Sequence, residues 1–318
     1  MKPVVLFHLA SVGPGSQRAL AGLTTILASE VLAMATVAEI LETVEHTPGC
    51  VGLLPVEDSF EGEHTAVLDR LIFETSNVYI CEEVVVAETL DAFRVRSDGH
   101  EDLRTAVSHP RAIEHCHRFV REHGLATRFV DSTIEACRTV AESNDPSLVA
   151  IAPRDVAERF GLTPVMTAVD DVPDARTRFF AVGRSVGART GHDKTSLVLT
   201  QSRDRSGSLE RFLRVFADND VNLVSLHSRP LGSAAGSYCF LATAEAHIHE
   251  ARMGAVIRAL WEAGAQVKLL GSYPEWQGEQ VVAPFDQPPQ ASVGMFSTDA
   301  ERAALLDPSR AVAGAMEI

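Results

Sequence analysis

Gly52-Leu53-Leu54-Pro55-Val56-Glu57-Asp58-Ser59-Phe60-Glu61-Gly62 reads as a buried strand, Gly52 to Val56, that turns at its proline and delivers Glu57, Asp58 and Ser59 to its C-terminal mouth. Far downstream, Thr177-Arg178-Phe179-Phe180 sets a hydroxyl and a guanidinium immediately before a second apolar strand that runs to Val182. An arginine fork suits a carboxylate, and a neighbouring hydroxyl can pass a proton. The adjacency predicts that Thr177 and Arg178 share one wall of a cleft that binds a small anion. Polar turn residues at strand ends would give the same pattern without a ligand, so the pairing of the two segments carries the expectation rather than either alone.

Outward from these segments, short apolar strands alternate with helical periodicity. Val4–Leu9 reads as a strand, Gly13-Pro14-Gly15-Ser16 as a turn, and the stretch from about Gln17 to Glu30 as a helix. Val37–Val44 is helical and Asn77–Glu88 a strand. Pro110–His123 and Thr133–Ser143 are helices, and Leu148–Ile151 is a buried strand. Such alternation predicts an α/β sheet built from crossover units. After the linker-like Val186-Gly187-Ala188-Arg189-Thr190-Gly191 the order becomes strand, helix, two strands, helix, strand. These are Thr195–Thr200, Ser208–Asn219, Asn222–Ser228, Ser237–Glu245, Ala251–Gly264 and Gln266–Leu270. This βαββαβ order is the ferredoxin-like arrangement.

Composition excludes several classes of function. The 318 residues are 46% hydrophobic and 22% charged, ordinary for a globular chain. A formal net charge of −15 argues against nucleic acid or an anionic membrane as partner, since both select basic surfaces. No apolar run approaches the roughly 20 residues of a membrane span, and the opening apolar run is expected to be a strand rather than a signal peptide. Five cysteines, with no Cys-x-x-Cys pair, predict reduced thiols and a cytoplasmic location. His115 and His117 form an isolated His-x-His on a helix, which falls short of a metal site. An acidic protein that binds an anionic metabolite must concentrate positive charge locally, and Arg178 is the leading candidate.

Several motifs, in order along the chain, resemble those of the prephenate dehydratases. Pro55-Val56-Glu57-Asp58-Ser59-Phe60-Glu61-Gly62 is similar to that family's PIENSxxG, and Ala66-Val67-Leu68-Asp69-Arg70-Leu71 to the stretch that follows it. Ser108-His109-Pro110 running to His115-Cys116, Ser132-Thr133 to Ala136, Ile151-Ala152 before Phe160-Gly161-Leu162, and Thr177-Arg178-Phe179 continue the match. In the C-terminal part, Ser206-Gly207-Ser208-Leu209, Leu226-His227-Ser228-Arg229-Pro230 and Leu270-Gly271-Ser272-Tyr273-Pro274 resemble the ACT domain, the small-molecule sensor fused to many of these enzymes. The resemblance implies a two-lobed catalytic domain over 1–188, like a periplasmic binding protein, with the second lobe at about 87–165. It implies an ACT domain over 193–275 and a 276–318 tail without assigned role, in which Ser297-Thr298-Asp299 opens a short helix that ends before Pro308.

By the same resemblance, prephenate loses carbon dioxide and water to give phenylpyruvate in phenylalanine biosynthesis, without metal or organic cofactor. Thr177 relays the proton, Arg178 anchors a carboxylate, Phe179 packs against the ring, and Ser108 comes in from the other lobe. Ser16, Asp58, Ser59, His115 and Thr133 would complete the substrate site. Gly207, Ser208, Leu209, Asn222, Leu226, His227, Ser228, Arg229 and Pro230 would form an effector site for phenylalanine between subunits of a homodimer or homotetramer. Departures are equally specific. Asp58 stands for the family's asparagine, His115 for its glutamine, Ala175 for an asparagine and His227 for a glutamate. A carboxylate at 58 beside a dicarboxylate substrate demands a compensating cation, for which His115 is the candidate. Two alternatives stay open: decarboxylation that retains the ring hydroxyl, as in natural-product relatives, and a catalytically silent amino-acid sensor.

Overall fold

A computed structural model describes residues 4–10, 14–59, 62–87, 89–96, 102–171, 175–201, 206–231, 238–278 and 298. The expected tail helix therefore lies outside the described residues. In chain order the elements are β1 (Val4–Leu9), α1 (Pro14–Gly22), β2 (Ala28–Met34), α2 (Val37–His46), β3 (Cys50–Asp58), β4 (Gly62–Glu63), α3 (Thr65–Phe73), β5 (Tyr79–Ala87), β6 (Asp91–Arg94), β7 (Thr105–Ser108), α4 (Pro110–His115) and α5 (His117–Glu122). There follow β8 (Ala126–Phe129), α6 (Thr133–Ser143), β9 (Leu148–Ala152), α7 (Arg154–Arg159), β10 (Thr163–Met166), β11 (Arg176–Gly183), β12 (Asp193–Gln201), α8 (Ser208–Asp218), β13 (Leu223–Pro230), β14 (Tyr238–Ala244), α9 (Ala251–Glu262) and β15 (Ala265–Pro274).

Two sheets organise them. The smaller, in the order β10-β6-β9-β7-β8, is made only from the segment between β5 and β11, so the chain leaves the larger sheet after Ala87 and returns at Arg176. Its faces are covered by α4 and α5 on one side, around Ile113, Phe119 and Ile151, and by α6 and α7 on the other, around Cys137, Val140 and Val156. The larger sheet runs β13-β14-β12-β15-β5-β11-β3-β1-β2, with β4 on β3. These are the two α/β lobes and the C-terminal βαββαβ unit expected from the sequence. The strand order of that unit, second-third-first-fourth, is the ferredoxin-like one.

The C-terminal unit is continuous with the first lobe. Gly271 of β15 pairs in parallel with Ile80 of β5, joining the strands of the C-terminal unit to those of the first lobe within the larger sheet. A Cβ at Gly271 would lie 2.3 Å from the Ile80 carbonyl oxygen, and one at Gly187 would lie 2.4 Å from the Cys81 carbonyl oxygen, so only glycine permits the approach. Lys268 of β15 donates to the carbonyls of Leu71, Ile72 and Thr75 at the end of α3, and Lys194 of β12 pairs with buried Glu83 of β5 at 2.8 Å. One hydrophobic cluster holds Leu54, Leu71, Ile80 and Phe180 of the first lobe together with Val198, Leu241, Leu270 and Tyr273 of the C-terminal unit.

Two expectations fail locally. The helix expected to Glu30 ends at Gly22, and Ala28–Met34 is instead an exposed edge strand parallel to β1. The helix expected over Pro110–His123 breaks at Cys116, whose φ of −117° and ψ of 27° end α4 and start α5. Asp171 accepts the Arg118 amide at 3.2 Å, holding the new helix start.

Candidate functional site

β3 and β11 lie antiparallel, with Asp58 opposite Thr177 and Glu57 opposite Arg178. Successive strand residues face opposite sides of a sheet, so this ladder displays one pair on each face. Thr177 and Asp58 line a cleft of about 640 Å³ between the lobes. Leu9, Gly15, Arg18 and His64 join them from the first lobe, and His109, Arg111, His115, Ser132, Thr133 and Pro153 face them from the second.

Asp58 is the electrostatic hinge of this cleft. Its side chain is only 4% exposed, and Oδ2 accepts from Arg111 Nη2 at 2.9 Å, across the lobes, and from His64 Nε2 at 2.8 Å. A buried carboxylate held in this way fixes the positions of its partners. The compensating cation demanded by an aspartate at this position is thus Arg111, with His64 as a second hydrogen-bond partner and His115 also lining the cleft. On the other side of the cleft Arg18 of α1 bonds Asp155 of α7 at 3.1 Å, and Arg159 donates to Gln17 Oε1 at 2.9 Å, so the lobes are tied at both ends. The N-terminus of α6 opens into the cleft at Thr133, and its cap Ser132 accepts the Glu135 amide at 3.0 Å. Free helix-start amides and arginine together suit an anion. His109 caps α4 by accepting the Arg111 amide on Nδ1 at 3.3 Å, which leaves the proton of its neutral form on Nε2.

Of the residues singled out by sequence, the cleft gathers Thr177, Asp58, His115 and Thr133. Ser16 is buried in α1 between the lining residues Gly15 and Arg18. Ser59 is spent on the backbone: its Oγ accepts the Arg176 amide at 2.9 Å and binds the Arg176 carbonyl at 3.3 Å, closing the β3–β11 ladder. Ser108 is fully buried and donates to the Ile151 carbonyl at 2.6 Å, so it braces the second sheet rather than lining the cleft. Phe179 is fully buried among Leu6, Leu53, Val84 and Ala181 and supports the strand from behind. Arg178 requires the largest correction. Adjacency to Thr177 puts it on the opposite face of β11, where Nη2 pairs with Glu57 at 2.7 Å beside the C-terminal unit. Among the described residues the arginines lining the cleft are Arg18 and Arg111, with His64, His109 and His115 beside them. Sequence reading missed Arg111, although it follows Ser-His-Pro at the first turn of a helix, and left Arg18 without a role.

In the C-terminal unit Gly207 takes φ of +80° and starts α8, with Ser208 and Leu209 in its first turn. Asn222 donates to Glu245 at 3.0 Å, and Leu226 packs towards the helices. His227 and Arg229 turn the other way, to Glu63 at 3.3 Å and, through a bidentate pair, to Asp69, while Ser228 and Pro230 are exposed. The charged half of β13 is therefore engaged with the first lobe of its own chain. Burial pushes the thiols of Cys81 and Cys137 up to about 12, so neither is a nucleophile at neutral pH. Among the described residues no cluster of three metal-ligating side chains occurs.

Comparison with known proteins gives a consistent result. The profile of the prephenate dehydratase family matches residues 14–186. A bifunctional chorismate mutase/prephenate dehydratase of Neisseria gonorrhoeae is 31% identical over 249 residues, spanning 78% of this chain and 68% of that one. A prephenate dehydratase of Methanocaldococcus jannaschii is 27% identical over 241 residues, 75% of this chain and 86% of that one. Among solved structures, the prephenate dehydratase of Arthrobacter aurescens in complex with L-Phe superposes with a TM-score of 0.72 at 28% identity, covering 98% of this chain and 100% of that one.

Proposed function

Because this chain belongs to the prephenate dehydratase family, we propose that it converts prephenate to phenylpyruvate as a carbon–oxygen lyase. The observation that carries this reading is the position of Thr177, the one residue of the Thr-Arg-Phe triplet turned into a cleft rich in cationic groups. Loss of carbon dioxide and hydroxide makes the ring aromatic, so the protein has to hold a dicarboxylate and assist departure of the hydroxide as water. Arg18, Arg111 and the start of α6 are placed to receive the carboxylates. The hydroxyl of Thr177 is placed to give or relay the proton. Asp58 sets the position of Arg111 and draws the second lobe down over the substrate.

Residues 193–275 are read as an ACT-type regulatory unit. On that reading an amino-acid effector such as phenylalanine binds at the α8 start of one subunit, facing β13 of another. The bidentate bond of Arg229 to Asp69 of the same chain withholds that guanidinium from the effector, leaving Gly207, Ser208, Leu209 and the exposed residues of β13. Incubating the purified protein with prephenate and following ultraviolet absorbance and product mass tests the catalytic reading. Phenylpyruvate supports it. A non-aromatic keto acid that retains the ring oxygen would replace it by hydroxyl-retaining decarboxylation, a reading consistent with the anionic Asp58 opposite Thr177. Unchanged prephenate would reduce the chain to a sensor.

A further inference from the structure

Behind the catalytic ladder, between the first lobe and the C-terminal unit, lies a second cavity of about 210 Å³. One part of its wall is apolar, formed by Leu68, Ile80, Phe180, Leu241 and Leu270. Its ionisable groups are Arg178, paired with Glu57 at 2.7 Å, and His227, which lies 3.3 Å from Glu63. Ser196 lines the same space and is bonded to Thr243 at 3.1 Å and to Tyr273 Oη at 2.9 Å. The cavity has room for on the order of seven waters, the bulk of one small amino acid.

We propose that this seam cavity binds a free α-amino acid with an apolar side chain, within a single chain and on the face of β11 opposite the cleft. The selection follows from charge balance. The side chains of Arg178 and Glu57 are 36% and 41% exposed, and those of His227 and Glu63 are 41% and 21% exposed. Pairs of this exposure hold weakly and exchange readily. A zwitterion adds no net charge to the site, its carboxylate on the Arg178 fork and its ammonium between Glu57 and Glu63. A simple carboxylate would strand Glu57 against Glu63, and a simple amine would strand Arg178; both arrangements are costly in a half-buried site. The apolar side chain then fills the space beside Phe180 and Leu241.

Occupancy would reach the cleft through the ladder, because Glu57 and Arg178 are chain neighbours of Asp58 and Thr177 on the same two paired strands. The binding claim itself does not depend on the proposed reaction, since calorimetry reads it without turnover. The full chain is titrated with leucine, with phenylalanine, and with the single-charge analogues of leucine, 4-methylpentanoate and 3-methylbutylamine. Ser225→Trp fills the cavity from β13, and Glu63→Gln removes one acceptor with almost no change of shape. The expected result is binding of at least one amino acid that is about tenfold weaker or more in both variants, with no comparable binding of either analogue. Equal affinity in Glu63→Gln, tight binding of either analogue, or no heat with either amino acid at millimolar concentration would overturn the proposal. The Glu63→Gln result stands even if Ser225→Trp perturbs folding.

Discussion

At the scale of single residues, the chemistry divides between the two faces of one strand. Thr177 is the only proton-carrying group of the triplet in the cleft, so Thr177→Ala should lower kcat by roughly 10²- to 10⁴-fold, the usual contribution of a positioned proton donor, with a smaller change in KM. Steady-state kinetics on prephenate checks this. Asp58 and Arg111 form a coupled pair across the lobes. Asp58→Asn and Arg111→Gln should each weaken substrate binding, and the double variant should lose less than the sum. The coupling is on the order of 1 kcal/mol, modest because the guanidinium is 43% exposed. Additive losses in kcat/KM would separate the two residues. A third residue reports through stability. Asp170 is 7% exposed, its Oδ1 has no hydrogen-bond partner, and burial, assisted by the charges of Asp91 and Asp171, pushes its carboxyl up to about 6. A raised folded value means that the protonated form suits the fold. The stability contributed by Asp170 is therefore full near pH 4 and is lost as pH rises through about 6. Asp170→Asn mimics the protonated form, so thermal melts from pH 4 to 8 should show it stabilised by roughly 1–3 kcal/mol above pH 7 and indistinguishable from the parent near pH 4.

At the scale of elements, legibility followed burial. β1, β3 and β11 carry apolar runs because both faces of the sheet are covered, β5 does so on either side of its buried Glu82 and Glu83, and α6 has a serine cap and a clean periodicity; the sequence reading placed all of them to within a few residues. β2 went unread because Ala28-Ser29-Glu30-Val31-Leu32-Ala33-Met34 is composed largely of helix-favouring residues, and its pairing with β1 at the edge outweighs local preference. The break at Cys116 was invisible for a related reason: the amide it frees is answered by Asp171, more than fifty positions away. Arg178 was misplaced because the reading took adjacency in sequence for adjacency in space, whereas a strand alternates. Arg111 escaped because its partner, Asp58, belongs to the other lobe and no local spacing links them. The β15–β5 junction also makes a prediction at this scale. Gly271→Ala forces a methyl to within 2.3 Å of a backbone oxygen that cannot move without breaking strand pairing, and should cost roughly 3 kcal/mol in urea unfolding. A cost below 0.5 kcal/mol, the scatter of ordinary surface changes, would show that the junction is loose.

For the whole molecule, the shared cluster from Leu54 to Tyr273 implies that the first lobe and the C-terminal unit unfold together. Calorimetry should give them one transition with matching calorimetric and van't Hoff enthalpies, and two resolved transitions between them would refute the shared core. Regulatory modules are commonly pictured as beads on a string, free to be cut and grafted between enzymes. The glycine contact at Gly271 denies that freedom here. A graft would have to bring along Ile80 and Cys81 as a landing strip for its last strand and Lys268 as a cap for a helix it does not own. Exchange of this unit between relatives is therefore constrained to carry pieces of the first lobe with it, and the boundary that matters for recombination lies inside the larger sheet rather than in the linker near residue 190.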